Sequence, residues 1–148
     1  MTVLRSALAG ASPPWEHLVL SEHPGGDMRP LGVHHVAINV DDVDAAMAFY
    51  VETLGLVPRD DRPDFGFAGA WLCAGDQQVH LVQAQPPSDH GQHFALLVDD
   101  LEATIAELRD QDIKVTDAFP VGTAMQAFLN DPSGNTIELH EPAKTPSP

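Results

Sequence analysis

The sequence predicts an α+β fold built twice from one unit, a strand, a helix and then three strands. Three observations predict it. Residues 33–54 change from a two-residue period to a helical one. The same device returns 58 residues later, where VDDVDAAMA from Val40 becomes VDDLEATIA from Val98. Metal-competent side chains repeat at that offset too, His35 with His93 and His80 with Glu138.

Each element follows from its own residues. Residues 1–30 carry Pro13, Pro14, Gly25, Gly26 and Pro30 with no sustained period, so a flexible arm is expected. The first module is expected over 31–84. It opens on a strand with Val36, Ile38 and Val40 on one face and His35, Ala37 and Asn39 on the other. Asp41 or Asp42 caps a helix whose inner face is Val43, Met47, Tyr50 and Leu54, and Gly55 ends it. Short strands are expected at 56–59 and 65–74, and a further one at 77–83 carries His80. The linker 85–92 is rich in turn residues. The second module, 93–142, repeats the order. A strand begins at His93, and a helix over about 100–109 turns Leu101, Ile105 and Leu108 inward. Strands follow at 113–115, 125–130 and 135–140, the last two joined by the turn Asp131-Pro132-Ser133-Gly134. Residues 143–148 are expected to be a disordered tail.

Composition limits the function. A net charge of −15 with seven Lys and Arg repels nucleic acid and anionic membrane surfaces. No apolar run is long enough to span a bilayer. The single Cys73 fits a reducing, cytoplasmic compartment.

The four repeated side chains carry the chemistry. Val36 and Ile38, Val79 and Leu81, Phe94 and Leu96, and Ile137 and Leu139 are the apolar neighbours that face the helices. By parity His35, His80, His93 and Glu138 all face away from them. Three imidazoles and a carboxylate suit a divalent metal such as Zn, Fe, Mn, Ni or Co. Glu138 or His80 is the candidate proton carrier beside it. His34 then faces outward, while His90 and His140 are read as surface residues, with the edge of the site as the alternative for either. Arg62, Phe67, Trp71, Met125 and Phe128 are candidate pocket residues, with Phe65 and Arg59 near them.

The runs HHVAINVDDVDAAMAFYVETLGL, GAWL, VHLVQ, HFALLVDDLE and FLNDPSGNTIELHE resemble the vicinal oxygen chelate superfamily, which includes glyoxalases, bleomycin-resistance proteins and extradiol dioxygenases. The resemblance covers about residues 31–142. It implies two βαβββ modules in an open, cup-shaped mixed barrel with the helices outside. It also implies metal ligands from the first and fourth strand of each module, which are His35, His80, His93 and Glu138 here. A small-molecule substrate chelated through vicinal oxygens and a homodimer are implied as well. Glyoxalase I carries a carboxylate at His80 and an Arg at Asn39, and extradiol dioxygenases carry a Tyr at Phe128. The expected activity is therefore isomerase or lyase chemistry. An extradiol-type dioxygenase and a ligand-sequestering binding protein are the alternatives.

Overall fold

A computed structural model describes residues 30–144 of the chain. Chain contacts separate Met1–Gly32 from Val33–Pro148, and the expected arm at 1–30 lies almost wholly outside the described residues. So does most of the expected tail.

Residues 33–144 form two βαβββ units. The first is β1 (His35–Val40), α1 (Val43–Met47) with a π-helical extension (Ala48–Thr53), β2 (Val57–Pro58), β3 (Gly69–Ala74) and β4 (Gln77–Gln83). The second is β5 (His93–Leu97), α2 (Leu101–Asp110), β6 (Phe119–Val121), β7 (Ala124–Asn130) and β8 (Thr136–Glu141). Each unit makes a four-stranded mixed sheet, β1-β4-β3-β2 and β5-β8-β7-β6, in which only the first and fourth strands run parallel. A parallel neighbour needs a long crossover, and the helix supplies it in both units. The predicted fold class is the observed one.

The two Asp-Asp pairs do the same work. Asp42 accepts the amide of Ala45 at 3.0 Å, and Asp100 accepts that of Ala103 at 2.9 Å. Each is therefore the N-cap of its helix. Leu101, Ile105 and Leu108 are buried, as the helical period predicts. The expected face of α1 forms, with Tyr50 fully buried and Val43, Met47 and Leu54 packed against the core, and Ala46 and Phe49 are buried beside it. A π-helical turn admits one extra residue per turn, and this turns Phe49 and Tyr50 inward together. Gly55 ends the helix with φ +74°.

Two expected strands are corrected, and one strand is unexpected. The strand expected at 65–74 begins only at Gly69, because Gly66 takes φ +75° and donates its amide to Asp64. The strand expected at 113–115 is a single bridge from Val115 to Leu129. Its place beside β7 is taken by Phe119–Val121, joined through a turn at Gly122 with φ +58°. Pro120 hides this strand from a sequence reading, yet an edge strand tolerates proline.

The strand parity holds. Val79, Leu81, Ile137 and Leu139 are at most 2% exposed, and Val36, Ile38, Phe94 and Leu96 pack against the same core. The units also meet through the turn after β7. Asp131, buried, accepts hydrogen bonds from the Tyr50 hydroxyl at 2.9 Å and from the amides of Ser133 and Asn135 at 2.9 and 2.8 Å. Asn135 Nδ2 donates to the carbonyl of Asn39 at 2.9 Å, and the Ser133 hydroxyl donates to Asp41. One tight turn of the second module thus holds the strand and helix of the first. Among the described residues no helix is long and apolar enough to cross a membrane.

Candidate functional site

The register of the two parallel ladders sets the geometry. Ala37 lies opposite His80, and Ala95 lies opposite Glu138. In both modules the residue two positions before that alanine, His35 or His93, therefore reaches diagonally to the fourth strand. The structure makes two pairs in this way. His35 and His80 stack with ring centroids 4.1 Å apart. His93 Nε2 stands 3.1 Å from Glu138 Oε2. The four are not gathered into one cluster, and among the described residues no group of three or more His, Cys, Asp or Glu is placed to hold a metal ion.

The second pair has an informative proton arrangement. His93 Nδ1 lies 2.9 Å from the carbonyl of Gly91, which only accepts, so that nitrogen carries the proton. In a neutral ring Nε2 is then an acceptor, and it faces another acceptor, Glu138 Oε2. A second proton or a cation has to sit between them. Two ligands on a tetrahedral cation with bonds of about 2.1 Å stand about 3.4 Å apart. The donor set of this pair is one that divalent metals take, and the 3.1 Å separation equally suits an imidazolium–carboxylate ion pair. Glu138 is 8% exposed, and its other oxygen, Oε1, lies 2.8 Å from His140 Nδ1. His140 is therefore not the surface residue that the sequence suggests. Its position two residues after Glu138 on one strand puts both on one face, and that parity is the signal which could have found it.

The first pair is surrounded by rings. Trp71, directly across the ladder from His80, stacks on it at 4.5 Å. Gln78 Oε1 accepts from His80 Nε2 at 2.9 Å, which leaves Nδ1 with a free lone pair. Burial, and then repulsion from His35 and His34, holds the pKa of His80 below the ordinary histidine value. That keeps it neutral and competent as a ligand. His34 is exposed, as expected, and its Nδ1 lies 2.9 Å from that of His35.

The candidate pocket residues divide. Phe128 lies across from Glu138 and meets the edge of His93 at 5.4 Å, so both fourth-strand groups have an aromatic neighbour. Arg62 sits over the rings of Phe65 and Phe67, at 5.0 and 5.2 Å, and donates to the carbonyl of Phe67. Phe65 and Phe67 are about half exposed, and Phe65 reaches Trp71 at 6.1 Å. Met125 is a correction. It pairs with Glu141, so it sits on the opposite face from Phe128 and packs against the core. Arg59 is held by Asp61 and is no free anion partner.

Two βαβββ units with a His, His, His, Glu set on their non-helical faces define a class of protein. The family model of the glyoxalase/bleomycin resistance protein/dioxygenase superfamily matches residues 32–139, and the chain belongs to that superfamily. A lactoylglutathione lyase of Haemophilus influenzae is 31% identical over 76% of this chain and 94% of its own length. A protein of Arabidopsis thaliana named as a probable chloroplastic lactoylglutathione lyase is 33% identical over 77% of this chain, but the match spans only 37% of that longer protein. Two further plant relatives are also matched over only about half their length. Among solved structures, TnmS3, an antibiotic binding protein from Streptomyces sp. CB03234, superposes with a TM-score of 0.68 at 28% identity, covering 78% of this chain and 99% of TnmS3.

Proposed function

We propose that this chain is a divalent-metal-dependent enzyme of isomerase or lyase type, acting on a small substrate that chelates the metal through vicinal oxygens. The observation that supports it best is the placement of His93 Nε2 3.1 Å from Glu138 Oε2, two groups of metal-ligand type on the face turned away from the core. His35, His80, His93 and Glu138 are the proposed ligands. Because the described residues hold the two pairs apart and not in one group of three or more, we propose that a homodimer completes the site, with His35 and His80 from one copy and His93 and Glu138 from its partner. Zinc, iron, manganese, nickel and cobalt all suit such a set.

Once bound, the cation supplies Lewis-acid polarisation of the substrate oxygens. The protein does the rest. Glu138 is the proposed acceptor of the substrate proton, with His80, kept neutral by burial, as the alternative. Trp71 and Phe128 flank the two fourth-strand groups and pack on the carbon skeleton of the substrate.

Lactoylglutathione formation from methylglyoxal and glutathione is the first reaction to assay, because relatives carry that name. Protein reconstituted with each of the five metals is expected to turn over with at least one. Glu138→Gln is expected to lower the rate by roughly 10²–10⁴-fold, the usual contribution of a positioned acid or base. Unchanged metal content and turnover in that variant would defeat the proposal.

A second reading, a ligand-sequestering protein without turnover, draws support from the likeness to TnmS3 and from the ring stack at Trp71, His80 and His35. Tight ligand binding by metal-free protein, with no turnover for any metal, would favour it.

A further inference from the structure

Glu138 has two oxygens in different surroundings. Oε2 faces His93 Nε2 at 3.1 Å. Oε1 faces His140 Nδ1 at 2.8 Å. The Glu138 side chain is 11% exposed and that of His140 is 29% exposed, so water is a poor substitute partner on this side. An ionised carboxylate only accepts, so His140 Nδ1 carries the proton in this contact. The terminal torsion of a Glu side chain is broad and soft, and a single anchored oxygen is enough to stop its rotation.

We infer that His140 is a positioning residue: by donating to Oε1 it fixes the Glu138 carboxylate with Oε2 turned toward His93, and so sets the affinity of this pair for a divalent cation. The inference rests on the metal reading above. His140 donates to one oxygen, and the other keeps its lone pairs for the cation. Outer partners of metal ligands act in this way, and their loss typically costs 10–100-fold in metal affinity. Backbone geometry favours the role. Glu138 and His140 are alternate residues of β8, a strand paired on both sides, so their relative positions are fixed by the sheet.

The test uses the full chain and cobalt(II) alone, with affinity read by competition against a chromophoric chelator and the cobalt absorption spectrum recorded alongside. His140→Ala and His140→Phe remove the donor, the second while filling the space. His140→Asn returns an amide N–H near the position of the ring Nδ1–H. The expected result is cobalt affinity about 10–100-fold weaker in the Ala and Phe variants, with Asn recovering most of the loss. His90→Ala, in the exposed linker, is the control and should match the wild type. Equal affinity in all four variants would overturn the inference and leave the metal reading intact. An Asn variant as weak as the Ala variant would overturn it too, because packing would then explain the loss. A wild type that does not bind cobalt overturns the metal reading and this inference together.

Discussion

Replacing Asp131 by Ala should release the second module from the first. The carboxylate is 4% exposed and accepts four hydrogen bonds, from the Tyr50 hydroxyl, from the amides of Ser133 and Asn135, and from Asn135 Nδ2 at 2.8 Å. Tyr50 is fully buried. Burial and the adjacent Asp131 both push its pKa upward, so it stays a neutral donor with no other partner in reach. A buried donor left without an acceptor costs about 1–3 kcal/mol, and each of the two turn amides adds about 0.5–1.5 kcal/mol when its acceptor goes. The expected loss is about 2–6 kcal/mol for Asp131→Ala. Tyr50→Phe removes one donor from an acceptor that keeps three, so about 1–2 kcal/mol is expected. In the double variant no hydroxyl is left unpaired, and the cost should fall about 1–2 kcal/mol short of the sum. Urea unfolding of metal-free protein measures all three, with an unchanged slope as the check on two-state behaviour. A loss below about 1 kcal/mol for Asp131→Ala, or strict additivity, would refute the view that this turn is a latch.

Other substitutions test other parts of the account. Gly69→Ala would put a Cβ 2.4 Å from the carbonyl oxygen of Leu81, a backbone atom that cannot swing away, so a loss of about 1–3 kcal/mol is expected in a thermal melt. An unchanged melt would mean that the β3–β4 ladder is looser than described. Because the pKa of His80 is lowered in the folded chain, the unfolded chain binds its proton first as pH falls. This group therefore contributes a loss of stability as pH falls below about 6.5, and His80→Gln should flatten that part of the stability–pH curve. An identical curve in the variant would contradict the assignment. Trp71→Ala should raise KM more than it lowers kcat, since the ring packs beside His80 and carries no proton. A selective loss of kcat would instead give Trp71 a role in the transition state.

Much of this fold is legible because the sequence states it twice. The offset relating Asp42 to Asp100 marks two helix caps, and both caps form. The same offset relates His35 to His93 and His80 to Glu138, and strand alternation alone turns all four away from the core. What the sequence hides is hidden for physical reasons. The burial of Phe49 beside Tyr50 comes with a π-helical turn, which a 3.6-residue period cannot express. The strand Phe119–Val121 contains a proline that only an edge position tolerates. Met125 reads as a pocket residue until the register with β8 puts it on the core side. His140 reads as surface until its contact with Glu138 is seen, although its parity with that residue was available. The division of the quartet into two pairs belongs to tertiary structure, because parity gives a face and not a distance.

The central claim is that His35, His80, His93 and Glu138 bind one divalent metal. It is tested most directly by the metal content of protein purified without an affinity tag or added metal, compared with a His35→Ala, His93→Ala double variant. The account predicts metal close to one equivalent per chain in the wild type and almost none in the variant. A wild type that holds no metal, even after reconstitution, would contradict it, as would a double variant that keeps its metal.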